Sequence, residues 1–129
     1  MNGRMALMRI SYLFGLQFLL LVVVALAFNA ANYLYDYTQT FLIYSPVHFL
    51  GGMWVGALVL WFFKSAGFKT ELPLLVASLL FVVLVWEMWE AIIDAVHPGV
   101  YIIDTVSDIL FDIAGGITTY LWVKNANEL

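Results

Sequence analysis

Cysteine is absent from this chain, and basic residues are scarce. The lack of cysteine excludes disulfides, thiolate metal ligands and cysteine nucleophiles, so any metal site must use oxygen or imidazole ligands. Only five Lys and Arg residues occur among 129, and they form no run or stripe, which argues against nucleic-acid binding. The GxSxG nucleophile motif and the glycine-rich phosphate loop are also missing.

Hydrophobic residues are abundant instead. They make up 64% of the chain, and the mean hydropathy is +0.97. This composition is too apolar for a soluble domain and predicts one small all-α domain, residues 1–129, built as a bundle of four transmembrane helices. A helix needs about 20 apolar residues to cross about 30 Å of hydrocarbon. Four stretches qualify: Ile10 to Asn29, Pro46 to Phe63, Leu72 to Ile93 and Val100 to Val123.

The start of the chain admits a second interpretation. Arg4 and Arg9 precede an apolar run that reaches the small residues Ala25 and Ala27, as in a signal peptide. We favour a retained first span, with the polar segment from Asn29 onward as its exit to a loop. Ser45 and Pro46 together predict the start of the second span, with Ser45 as its N-cap.

All basic residues fall on one side of the predicted bundle. They lie before the first span, between the second and third spans, and after the fourth: Arg4, Arg9, Lys64, Lys69 and Lys124. By the positive-inside rule, both termini and the loop from Lys64 to Glu71 are cytoplasmic. The sequence therefore predicts a multi-pass protein of the inner (plasma) membrane, with membrane lipid as a partner.

Acidic residues are concentrated in the last two spans. Six of the nine carboxylates lie between Glu87 and Asp112, with no Lys or Arg among them. The spacings i, i+3, i+7 and i, i+4, i+8 place each set on one helix face. These sets are Glu87, Glu90 and Asp94 on the third span, and Asp104, Asp108 and Asp112 on the fourth.

The two acidic faces are expected to meet. A short turn at Pro98-Gly99 makes the last two spans antiparallel neighbours, and His48 in the first turn of the second span lies in the same half of the bilayer. Clustered carboxylates in a low dielectric need a counter-charge or shared protons. Oxygen ligands with one imidazole suit a divalent cation such as Mg²⁺, Mn²⁺, Ca²⁺ or Zn²⁺. The predicted ligands are His48, Glu87, Asp104, Asp108 and Asp112.

Two other interpretations of the acidic cluster stay open. Its carboxyl groups can share protons in a polar cavity, or they can act as hydrogen-bonded contacts between helices without further function. For the outermost residues, Asp94 and Asp104, simple solvation at the membrane interface is a further alternative to function.

The order of these polar residues resembles two membrane families. His48-Phe-Leu-Gly-Gly, Trp86-Glu-Met-Trp-Glu90 and the Asp-rich segment from Asp104 to Gly116 are similar to small bacterial inner-membrane proteins related to YjdF, and more distantly to VanZ-like proteins. The resemblance covers about Pro46 to Tyr120. It implies a membrane protein with a shared polar site, and it does not identify a substrate. Asp112 stands where VanZ-like proteins commonly have Asn, which makes the site of this chain more acidic.

Two classes of function follow from the sequence. One is a metal-dependent lipid or envelope enzyme in which Glu90 is the general base. The other is a non-enzymatic cation- or proton-binding protein, either a transporter or a subunit of a larger membrane complex. A homo-oligomer formed through the small residues Gly51, Gly52 and Gly56 would supply further walls to a transporter.

Overall fold

The computed structural model describes residues 3–93 and 101–126, and within these ranges all regular structure is helical. The all-α class is therefore confirmed. The four long helices are α1, α2, α3 and α4, and a short 3-10 turn precedes α2. Each long helix is apolar and long enough to cross a membrane. Their bounds are Gly3–Thr38 for α1, Phe41–Tyr44 for the 3-10 turn, Ser45–Ser65 for α2, Leu72–Ile92 for α3 and Tyr101–Asn125 for α4.

Helix α1 is longer than predicted. It continues past Asn29 to Thr38, giving 36 residues and a length of about 54 Å. Asn29 lies inside the helix, where its side-chain amide donates to the carbonyl of Ala25, 2.7 Å away. The helix ends at Thr38, and the next residue, Gln39, has a positive φ of 54°, a left-handed conformation typical of helix C-termini.

The second span was predicted to begin at Pro46 with Ser45 as its N-cap, and α2 begins one residue earlier, at Ser45. Pro46 lies in the first turn, where its missing N–H costs nothing. Ser45 is already helical, and no side-chain cap hydrogen bond forms at this terminus. The reason lies in Tyr44, whose helical φ and ψ of −80° and −16° carry the 3-10 turn directly into α2. No extended residue remains to act as an N-cap.

The last two helices agree with the predicted spans wherever the structure describes them. The predicted span from Leu72 to Ile93 corresponds to Leu72–Ile92. Val100, the predicted start of the fourth span, lies outside the described residues, as do Asp94 and the Pro98-Gly99 turn. Helix α4 continues slightly beyond the predicted end at Val123, to Asn125.

Helices α2 and α4 form the most extensive helix pair, and α4 also packs on α3. The two run parallel: His48, in the first turn of α2, meets Asp112, midway along α4, and further along both helices the hydroxyl of Thr119 donates to the carbonyl oxygen of Met53 over 3.1 Å. Helix α1 lies mainly against α2. The predicted contact between the last two spans is present, but the α2–α4 pair is the main one.

Glycine allows α2 and α4 to approach closely. A Cβ on Gly52 would overlap the backbone carbonyl of Asp112, and a Cβ on Gly115 would overlap that of Phe49. At Gly56 a Cβ would lie 2.9 Å from the Cα of Gly116. These contacts use Gly52 and Gly56 inside the chain, so neither residue offers a free surface to a second copy.

Helix α4 has apolar residues on its exposed side and polar residues on its buried side. Its exposed side carries residues such as Ile102, Leu110 and Trp122, as expected for a helix that faces lipid. Its buried side carries three aspartates followed by small residues and Thr119. The apolar core lies toward the other end of the bundle, around Leu13, Leu16, Leu60, Leu75, Leu79 and Val123. The buried acidic side chains are thereby gathered at one end.

Candidate cation site

His48 lies between two aspartates of α4. Its Nδ1 is 3.2 Å from Oδ2 of Asp112, and its Nε2 is 3.5 Å from Oδ2 of Asp108. A neutral imidazole has one N–H and one lone pair, so it can donate to only one of two ionised carboxylates. The arrangement therefore requires a second proton, on the ring or on a carboxyl, or a cation that takes the place of one proton.

Glu87 closes the site from α3. Its side chain is 7% exposed, and its Oε1 has no hydrogen-bond partner among the described residues. The hydroxyl of Thr105 approaches the same carboxylate. One ligand atom each from Glu87, His48 and Asp112 lie within 4.8 Å of one another. Ligands bound about 2.1 to 2.4 Å from one ion can be up to about 4.8 Å apart, so these three residues can share a cation.

The glycines of α2 create the space that brings α4 to His48. Gly52 accommodates the backbone carbonyl of Asp112, and a Cβ on Gly51 would lie 3.6 Å from Oδ1 of the same residue. The sequence places Gly51 and Gly52 one turn after His48 on the same helix. Close helix contact and the His48–Asp112 hydrogen bond therefore arise from one short segment of α2.

The other predicted ligands lie around this group of three. Asp108 is buried and interacts with His48, but it is not a member of the group. Asp104 is buried in the first turn of α4, on the same stripe. The predicted general base, Glu90, is half-buried and interacts electrostatically with His48, Asp104 and Asp112. The structure thus brings His48, Glu87 and Asp112 together and places the others beside them.

Two neighbours of the site were not predicted. Thr105 approaches Glu87 across the α3–α4 contact, and no feature of the sequence signals a contact between those two positions. The indole of Trp86 lies next to the Glu90 carboxylate on the same helix. That pair has the i, i+4 spacing of facing side chains, so the sequence did contain this signal.

The site is rich in acidic groups. Five carboxylates surround one imidazole, and no Lys or Arg occurs between Lys69 and Lys124. A single divalent cation would leave an excess of negative charge if all five carboxylates were ionised. This electrostatic environment attracts cations and repels phosphate and other anions.

Comparison with protein-family models, with curated proteins and with solved structures finds no match for this chain. The similarity to YjdF-related and VanZ-like proteins stays a prediction from the order of polar residues.

Proposed function

We propose that this chain is an integral membrane protein that binds a divalent cation through His48, Glu87 and Asp112. One observation carries the proposal: Oε1 of Glu87 is buried without a hydrogen-bond partner among the described residues, within 4.8 Å of ligand atoms on the other two. A buried carboxylate oxygen without a partner is costly. A cation would satisfy this oxygen and would neutralise part of the surrounding charge.

The arrangement favours a cation over purely structural contacts between helices. Carboxyls that only join helices are expected to have their hydrogen bonds satisfied, as buried polar groups generally do. Carboxylate oxygens with one imidazole nitrogen suit Mn²⁺ or Zn²⁺ better than Mg²⁺ or Ca²⁺, which prefer oxygen alone. Among the four predicted cations, Mg²⁺, Mn²⁺, Ca²⁺ and Zn²⁺, we therefore choose Mn²⁺ as the probe.

The membrane setting belongs to the same proposal. Four apolar helices support a multi-pass membrane protein, and the distribution of Lys and Arg supports cytoplasmic termini in a bacterial inner membrane. In that orientation the starts of α2 and α4 and the end of α3 face outward, so the cation site lies in the outer half of the bilayer. The order of polar residues supports kinship with YjdF-related proteins.

Proton sharing is the second candidate, and the position of His48 favours it. Both ring nitrogens face carboxylate oxygens, so an imidazolium could satisfy both without a metal. The enzyme hypothesis, with Glu90 as general base, stays a prediction.

Metal analysis of detergent-purified protein tests the proposal. We expect about one equivalent of bound divalent metal after incubation with Mn²⁺ and removal of the excess, measured by elemental mass spectrometry. Glu87→Gln should lose this metal, whereas Glu71→Gln, which changes an exposed carboxylate before α3, should retain it. No metal in the unaltered protein, after Mn²⁺, Zn²⁺, Mg²⁺ and Ca²⁺ have each been offered, would overturn the proposal in favour of shared protons.

A further inference from the structure

We infer that Glu90 and Asp104 form an access path along which a cation reaches the group of His48, Glu87 and Asp112. The inference rests on the proposed cation-binding function. It assigns the two outermost described carboxylates of the cluster to the rate of cation capture rather than to coordination.

The position of each residue along its helix supports this role. Glu90 is three residues closer than Glu87 to the end of α3 at Ile92, a distance of about 4.5 Å along the helix. Asp104 is eight residues closer than Asp112 to the start of α4, which corresponds to about 12 Å. Both carboxylates therefore lie between the three-residue group and the helix ends.

Exposure distinguishes Glu90 from the rest of the cluster. Glu87, Asp104, Asp108 and Asp112 are each 7% exposed, whereas Glu90 is half-buried and reaches the surface. Glu90 interacts electrostatically with Asp104 and with Asp112. Negative charge thus continues from the surface at Glu90 to the buried group.

The inner end of this path also indicates a ligand. Glu87 is 93% buried, and its Oε1 has no hydrogen-bond partner among the described residues. Glu87 belongs to the three-residue group, which lies deeper along the helices than Glu90 and Asp104. Negative charges along the approach to a binding site raise the local cation concentration and accelerate association. Neither Glu90 nor Asp104 needs to contact the bound ion for this effect.

Rapid mixing with Mn²⁺ distinguishes an effect on cation capture, which changes the association rate, from an effect on coordination, which changes the dissociation rate. A fluorescent chelator reports free Mn²⁺ during uptake by the purified protein and during release into excess chelator. We expect Glu90→Gln and Asp104→Asn each to slow association about 3- to 10-fold and to change dissociation by less than about twofold. Higher ionic strength should slow the unaltered protein more than either variant.

Two further variants serve as controls. Glu90→Asp keeps the charge and should keep the association rate, whereas a direct ligand would be impaired by the shorter side chain. Asp36→Asn removes an exposed carboxylate at the end of α1, outside the path, and should have no effect. If Asp104→Asn fails to fold, the two Glu90 variants suffice, because that side chain is half-buried.

The outcomes are distinguishable. Unchanged association in Glu90→Gln, or a loss of affinity that comes from faster dissociation, would overturn the access path while leaving the cation site intact. No Mn²⁺ uptake by the unaltered protein would overturn the proposed function and the path together.

Discussion

His48 Nδ1 and Asp112 Oδ2 lie 3.2 Å apart on parallel helices, although 64 residues separate them in the chain. If both coordinate one ion, their contributions to binding must be interdependent. We expect His48→Ala and Asp112→Ala each to weaken Mn²⁺ binding at least about tenfold. The double variant should lose less than the two single losses combined, with a coupling of about 1 to 3 kcal/mol. Isothermal titration of the four proteins measures this coupling, and strictly additive losses would contradict a shared ion.

Glu87 should have opposite effects on stability with and without a cation. In metal-free protein, Glu87→Met removes a buried carboxylate whose Oε1 has no hydrogen-bond partner among the described residues, and should raise the free energy of unfolding by about 1 to 3 kcal/mol. Saturating Mn²⁺, at about 100 times its Kd, should stabilise the unaltered protein by about 2.7 kcal/mol and leave the variant unchanged. Thermal unfolding in detergent, with chelator and with Mn²⁺, measures both stability changes, and Glu71→Met is the control at an exposed position. A variant that is less stable in chelator would indicate a structural role for Glu87.

Gly52 should be intolerant of even one added methyl group. Its Cβ would overlap the carbonyl of Asp112, so Gly52→Ala must push α4 away from α2. We expect a loss of about 1 to 3 kcal/mol in unfolding free energy, together with weaker Mn²⁺ binding because Asp112 moves away from His48. Gly15 in α1 has no atom within 4 Å of the corresponding position, so Gly15→Ala should be neutral or slightly stabilising. Equal behaviour of the two variants in thermal unfolding would rule out this close contact.

Thr119 joins α4 to α2 below the site, and Thr118 provides a matched comparison. The buried hydroxyl of Thr119 donates to the carbonyl of Met53, whereas that of Thr118, on the exposed side, donates to Ala114 within its own helix. Thr119→Val should cost about 0.5 to 1.5 kcal/mol of stability, and Thr118→Val should cost less. Chemical denaturation of the two isosteric variants tests this difference, and equal losses would argue against the interhelical bond.

The natural absence of cysteine makes the proposed orientation easy to test. Thr40→Cys and Ala66→Cys place single thiols at exposed positions in the two described connections. A membrane-impermeant maleimide should label Thr40→Cys in intact cells, and should label Ala66→Cys only after the membrane is permeabilised. The reverse pattern would invert the orientation and place the cation site in the inner half of the bilayer.

The sequence predicted the helices well because their signal is local. Runs of apolar residues fix the existence of four spans, and Pro46 and Pro73 lie in the first turns of α2 and α3. The predicted end of α1, at Asn29, was wrong for a physical reason. The polar segment after Asn29 resembles a loop in composition, yet Asn29 bonds within the helix, and Tyr33 and Tyr37 bring their hydroxyls within 3.2 Å of each other along it.

The site was only partly predictable. Helix periodicity shows which residues share one face of a helix, but it does not show which other helix packs against that face. The spacing of Asp104, Asp108 and Asp112 correctly predicted one stripe. It did not indicate that α2, rather than α3, would be the main partner of α4. That preference depends on glycine contacts between distant segments, such as Gly56 with Gly116. For the same reason, the sequence did not distinguish the group of three from Asp104 and Asp108.

The buried aspartates of α4 also bear on how the protein is made. An aspartate at the centre of a membrane helix opposes insertion by about 2.5 to 3.5 kcal/mol, and Asp112 lies near the middle of α4 with Asp108 one turn before it, so α4 is a poor membrane segment on its own. It is also the last of the four helices to be synthesised. We therefore expect α4 to leave the translocon only against α2, where His48 and the glycine surface are already present. Insertion of the last helix and assembly of the site would then be a single biosynthetic event.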